Sequence, residues 1–150
     1  MVANYWIFPH VNLKCERGFR EMIKKKTWQF TKKLRVTPRK GDEIIFYLSD
    51  TKKEKYFVGQ AIVGEFSYTT TRKSVDDKTG VCEVKLSCVK EWSGRVAFDG
   101  VKLRLDFIRE SMKSCTNNPS NGIGLALRGK SAIKINARDY GLLVKTSTLL

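Results

Sequence analysis

Histidine occurs once in this 150-residue chain, at His10, directly after Pro9. A lone imidazole with no carboxylate close by in sequence makes a poor general base. Neither a Gly-x-Ser-x-Gly elbow nor a phosphate-cradling glycine loop accompanies it. The four cysteines, Cys15, Cys82, Cys88 and Cys115, form no CxxC pair and have no histidine at ligand spacing, so no metal site is predicted. Cys82 and Cys88 stand an even number apart, which in a strand turns both to one face, and they read as buried thiols. Asp76-Asp77 falls in a polar stretch and reads as solvated. No catalytic residue, metal ligand or cofactor is predicted, because none of the usual catalytic sets is present.

More chemistry lies in aromatics set among cations. Between positions 20 and 40 stand Arg20, Lys24, Lys25, Lys26, Lys32, Lys33, Arg35, Arg39 and Lys40, against Glu21 alone. Like charges at that density repel one another, and an anion held among them relieves the repulsion. Trp28 follows the lysine cluster directly, while Phe66 and Tyr68 precede a second basic pair, Arg72 and Lys73. A π-face for an unpaired base, beside positive charge for its phosphates, is what stacking on a single strand requires. Burial of Trp28 in a core explains that residue equally well.

Composition favours a polyanionic partner. Lys and Arg number 29 against 15 Asp and Glu, a formal charge of +14, and the pI is near 9.8; nucleic acid is the first candidate. With 41% hydrophobic residues the chain can build a core, which excludes intrinsic disorder. Apolar runs such as Ile44–Leu48 are far short of a membrane span. MVANYWIFPH has no basic n-region or long apolar h-region and reads as a strand rather than a signal peptide. These features point to one soluble, cytoplasmic domain.

The elements that would position these residues follow from periodicity. Asn4–His10 reads as a largely buried strand, and Glu16–Lys26, with Phe19, Met22 and Ile23 at helical spacing, as a helix. Thr27–Lys40 reads as an extended loop, with Trp28 closing the helix. Glu43–Ser49 and Tyr56–Tyr68 form a looped hairpin, followed by a polar stretch to Gly80 and a half-buried strand at Val81–Glu91. Val101, Leu105, Ile108 and Met112 predict a helix over Val101–Lys113, with a surface loop from Ser114 to Gly124. A short strand at Lys130–Ile135 leads to a last helix capped by Asn136, with Tyr140, Leu143 and Val144 inward, and Thr146–Leu150 reads as a frayed tail. The order β-α-β-β-β-α-β-α is α+β, and its hairpins suit a small, partly open barrel with flanking helices.

The ordered set NYWIF, KKTWQF, GDEIIFYLS, KYFVGQAIVGEFSY and GKSAIKINARDYGLLV resembles the EVE domain of the PUA-like superfamily, whose relatives include the YTH and ASCH domains. The resemblance runs from Asn4 to Lys145. It departs from the family at Ile123-Gly124, where Trp-Gly is frequent, and in the Asn-rich stretch Ser114–Gly122. What it implies is a small twisted PUA-like β-barrel with flanking helices that captures a modified base in an aromatic-walled pocket. Similar domains act as sensors in modification-dependent restriction systems of the McrBC type, so fused or associated restriction or motor subunits are implied partners. By position, Trp28 matches one pocket wall and Tyr68 a second, with Phe66 beside it. His10 and Asn12 match the loop whose polar groups meet the base edge.

The expectation is a nucleic-acid-binding module for a modified, methylated base, flipped from DNA or carried on RNA. Lys24, Lys25, Lys26, Lys32, Lys33, Arg35, Arg39, Lys40, Arg72 and Lys73 would hold phosphates. Two alternatives stay open: an RNA-binding protein indifferent to modification, and an enzyme acting on a modified nucleotide.

Overall fold

The structure is a computed structural model that describes residues 3–11, 14–30, 37–50, 54–69, 81–127 and 131–150, with 67–69 and 81–82 described through their backbone. Its elements are β1 (Tyr5–Val11), α1 (Cys15–Lys25), β2 (Thr27–Phe30), β3 (Glu43–Ser49), β4 (Lys55–Thr69), β5 (Val81–Ala97), α2 (Phe98–Val101), α3 (Asp106–Ser114), α4 (Asn121–Leu125), β6 (Ile133–Ile135) and α5 (Ala137–Thr148). The strands form one sheet in the order β2-β5-β4-β3-β1-β6. β1 runs parallel to β3 and antiparallel to β6, and every other pair is antiparallel.

The sheet curls. β1 and β2 are four strand spacings apart in sheet order, about 19 Å if flat. Yet Phe8 of β1 meets Trp28 and Phe30 of β2 at ring-centroid distances of 5.5 and 5.1 Å. Register shifts between β4 and β5 at Phe57/Gly59, Gln60/Ile62 and Val63/Phe66 accompany this closure, since bulges bend a strand and increase its twist. The result is the predicted α+β half-barrel with flanking helices.

Both faces of the sheet centre are buried. Trp6, Phe8, Ile44, Phe46, Leu48, Val58, Ala61 and Val63 point into the barrel with Trp28, Phe30, Val84 and Leu86, and α1 closes the opening with Cys15 and Phe19. Ile7, Ile45, Tyr47 and Phe57 face the other way, under Phe98, Val101, Leu105, Ile108 and Leu143 of the C-terminal helices. Strands buried on both faces read as continuous apolar runs, which explains the weak alternation of WIF and IIFYL.

Several expectations need correction. Thr27–Phe30 is a strand, not loop: α1 stops at Lys25, Lys26 turns left-handed at φ 54°, and Trp28 pairs with Val84. The single helix expected over Val101–Lys113 is broken at Leu105, which is extended at φ −89°, ψ 128°. The break is held from outside. Buried Asp139 of α5 accepts hydrogen bonds from the backbone N–H groups of Asp106 (2.8 Å) and Phe107 (3.0 Å), capping α3 across 33 residues of sequence. Helix α4 occupies part of the stretch read as loop, seated because Gly122 lets the backbone of Ser111 and Met112 approach closely. Asn136 caps α5 as expected, its side chain accepting from the Asp139 N–H at 2.8 Å, but the helix continues through Thr148. Cys88 is exposed rather than buried, because the β5 bulge places it at φ 51° and turns it out of the alternation.

Candidate nucleic-acid interface

His10 is seated by three elements. It lies near the end of β1, opposite Leu48 of β3, with Trp28 of β2 edge-on at 6.1 Å. Gly18 of α1 lies against the ring: a Cβ at that position would fall 2.3 Å from His10 Cε1. Nδ1 is buried without a hydrogen-bond partner among the described residues. Burial holds the imidazole below the ordinary histidine range, so the ring is neutral at pH 7. A buried, unpaired ring nitrogen is uncommon and calls for an explanation.

Trp28 is 4% exposed. Phe46 stacks on it at 5.2 Å with planes 26° apart, and Phe8 tilts against it. The ring is therefore covered in this conformation, by Phe46 from the core and by His10 toward the end of β1. Phe66 is half-buried and stacks on Phe30 at 6.4 Å and 15°. Strand register relates these aromatics: Trp28 and Phe66 flank Val84, and in the next row Phe30 and Tyr68 occupy positions on either side of Cys82. Three aromatic positions singled out from sequence, Trp28, Phe66 and Tyr68, thus fall at one end of three adjacent strands.

The basic residues form two exposed groups. Lys24, Lys25 and Lys26 end α1, as the helix dipole favours, and Arg39 and Lys40 lead into β3. One backbone row links the groups. Leu86 N–H donates to the Lys26 carbonyl at 2.8 Å, Leu86 stands opposite Val63, and Gly41 N–H donates to the Val63 carbonyl at 2.8 Å. That row spans about 14 Å at ordinary strand spacing. Lys40 also pairs with Glu65 at 3.3 Å. Asn12, Lys32, Lys33, Arg35, Arg72 and Lys73 lie outside the described residues.

Sequence reasoning passed over the residues that hold this arrangement. Asp42, 4% exposed, accepts from Trp6 Nε1 (2.9 Å), Asn4 N–H (3.1 Å) and Arg39 N–H (2.8 Å). It fixes the Arg39-Lys40 turn to the start of β1. Glu16, at the start of α1, takes the guanidinium of Arg95 from β5 in a two-pronged pair, one arm at 2.8 Å, which ties the helix across the barrel. That pairing holds the Glu16 carboxyl below its usual range. An open groove beside it is lined by Arg17, Arg20, Glu21, Ile23, Lys24 and Glu91. Among the described residues no group of three or more His, Cys, Asp or Glu side chains could hold a metal ion, and no helix is long and apolar enough to cross a membrane.

The chain's architecture is shared with solved structures. Human THYN1, in complex with 5-methylcytosine-containing DNA, superposes with a TM-score of 0.60 at 14% identity, covering 97% of this chain and 98% of that one. A Rhodopseudomonas palustris protein solved by NMR gives 0.60 at 16%, covering 99% and 95%. The N-terminal domain of Staphylothermus marinus McrB gives 0.53 at 10%, covering 97% and 95%. The fold is PUA-like. No protein-family model matches the sequence, and no curated protein matches it.

Proposed function

We propose that this chain binds nucleic acid and takes a single modified base at the His10–Trp28 end of the barrel. The observation that carries the reading is the buried Nδ1 of His10, without a partner among the described residues and set against Trp28, where β1 packs under Gly18 of the helix that ends in Lys24, Lys25 and Lys26. An indole, an imidazole and a run of cations supply the three things a flipped nucleotide needs: a stacking face, an edge partner and phosphate contacts. The shared fold with THYN1, solved on 5-methylcytosine-containing DNA, supports it.

Phosphate contacts from Lys24, Lys25, Lys26, Arg39 and Lys40 supply the salt-dependent affinity. Unstacking the nucleotide costs a few kcal/mol, and stacking on an aromatic returns roughly 1–3 kcal/mol. Phe46 covers one side of Trp28 in the core, so the base meets the indole beside His10. A methyl group seated in an apolar pocket adds about 1 kcal/mol, so discrimination is several-fold. Phe66 and Tyr68 extend the aromatic wall, and Asn12 adds an edge partner. Lys32, Lys33, Arg35, Arg72 and Lys73 extend the basic surface.

The test is fluorescence anisotropy with DNA and RNA oligonucleotides carrying cytosine, 5-methylcytosine, 5-hydroxymethylcytosine, adenine or N6-methyladenine, at two salt concentrations. A several-fold preference for one modified form, lost in His10→Ala, supports the reading. Equal, steeply salt-dependent binding to all of them overturns the pocket and leaves a basic RNA-coating surface.

A further inference from the structure

We infer that Gly18 is a positioning residue for His10: the missing side chain at this one helical position lets α1 press on the imidazole and hold it against Trp28. The inference rests on the base-reading function proposed above and assigns the specificity of that site to a residue outside its aromatic wall.

The geometry is tight on one side only. A Cβ on Gly18 would stand 2.3 Å from Cε1, 3.1 Å from Nδ1 and 3.3 Å from Nε2 of His10, so Cε1 is the ring atom that meets this position. No real Cβ contact is that short, so an alanine forces the ring, the helix or both to move. The helix is the less free of the two. Glu16 anchors it to Arg95 through two hydrogen bonds, and Phe19, next to Gly18, is buried against Phe46 at 5.4 Å. His10 is half-buried, and among the described residues no hydrogen bond at Nδ1 resists its rotation. The ring is the part that yields.

Glycine is otherwise a poor choice here. Gly18 lies inside an 11-residue helix, where alanine is the better helix former, and its φ is not in the left-handed region. Backbone conformation therefore gives no reason for glycine, and the contact with His10 does. The same contact joins the two halves of the proposed interface, because Gly18 and the Lys24, Lys25 and Lys26 cluster belong to one rigid helix. Phosphates drawn to the end of α1 and a base read by His10 are thereby held at a set separation.

The experiment compares Gly18→Ala, His10→Ala and the double variant, with thermal melts to confirm folding. As the chain holds one histidine, its Hε1 resonance reports the ring without interference, including the ring current of Trp28. In Gly18→Ala we expect that resonance to move and the preference for the modified oligonucleotide to fall about fivefold, the size of one lost hydrogen bond. Salt-dependent binding of the unmodified strand should stay unchanged. The double variant should match His10→Ala in preference and be at least as stable, because the clash is gone. An unmoved resonance overturns the inference, and so does a moved resonance with the preference intact. If His10→Ala itself leaves the preference unchanged, the base-reading role of His10 fails instead. If the wild type shows no preference, the reading of the site fails, while the resonance still decides whether Gly18 seats the ring.

Discussion

Trp28 stacks on Phe46 across the barrel interior, ring centroids 5.2 Å apart and planes 26° from parallel. One residue comes from a four-residue strand at the edge of the sheet and the other from a strand buried on both faces, so the pair joins β2 to the sheet centre. A tryptophan in this position serves the fold whatever else it does. The stacking role proposed for it has to be tested with that in mind.

Trp28→Ala should therefore destabilise the protein by about 3–5 kcal/mol, the usual range for emptying a large aromatic site. Trp28→Phe keeps most of the contact with Phe46 and should lose well under half of that. Urea titration followed by circular dichroism gives both values. A loss below about 1 kcal/mol for the alanine variant would mean the ring is not part of the core.

His10 makes stability depend on pH in a predictable direction. The unfolded ring takes up a proton near pH 6.5, whereas the folded ring, held lower by burial, stays neutral. The unfolded state then binds more protons, and stability falls as the pH drops below about 6.5, levelling once the folded ring protonates as well. Urea midpoints from pH 7.5 down to about 5 should show this decline in the wild type when set against His10→Gln, a difference that cancels any carboxylate such as Asp139, whose burial pushes its carboxyl up. His10→Gln should flatten it.

Asp42 collects three donors in a buried position, from Trp6, Asn4 and Arg39. Asp42→Ala strands all three and should cost on the order of 3 kcal/mol. Asp42→Asn retains one acceptor oxygen and should lose less. Amide exchange at Asn4 and Arg39 should quicken in both variants, in that order of severity.

Lys24→Gln with Lys25→Gln removes two exposed cations from the end of α1. If both meet phosphates, the slope of log affinity against log salt should shallow by about 1.4–1.8. Affinity should weaken alike for modified and unmodified strands, because phosphate contacts carry no base information. An unchanged slope would move the phosphate path away from this helix.

The sheet centre was legible in the sequence because WIF and IIFYL are apolar without interruption, and α5 because Asn136 and Asp139 form a local cap. β2 was not. TWQF is four residues set in a window of charge, and its apolar positions are matched by partners on β5 and across the barrel rather than by neighbours in sequence. The break at Leu105 was hidden for a similar reason: the carboxylate that caps α3 belongs to Asp139, 33 residues on. Cys88 was misplaced because a bulge shifts the period of 2 by one residue, and periodicity counted along one strand cannot register it. The Gly18 contact with His10 was not legible either, because it depends on how α1 lies over β1.

The placement of β1 has a consequence for how the chain is made. β1 is made long before one of its two neighbours: it sits between β3 and β6, and its antiparallel partner is formed by Ile133–Ile135. Synthesis proceeds at about 5–20 residues per second, so the opening strand waits several seconds with one edge unpaired before its partner is even translated. β6 and α5, which follow the other described elements in sequence, are also those that finish the sheet and cap α3. The sheet is therefore completed only once Ile133–Ile135 has been made, and until then the β6-facing edge of β1 is open to mispairing.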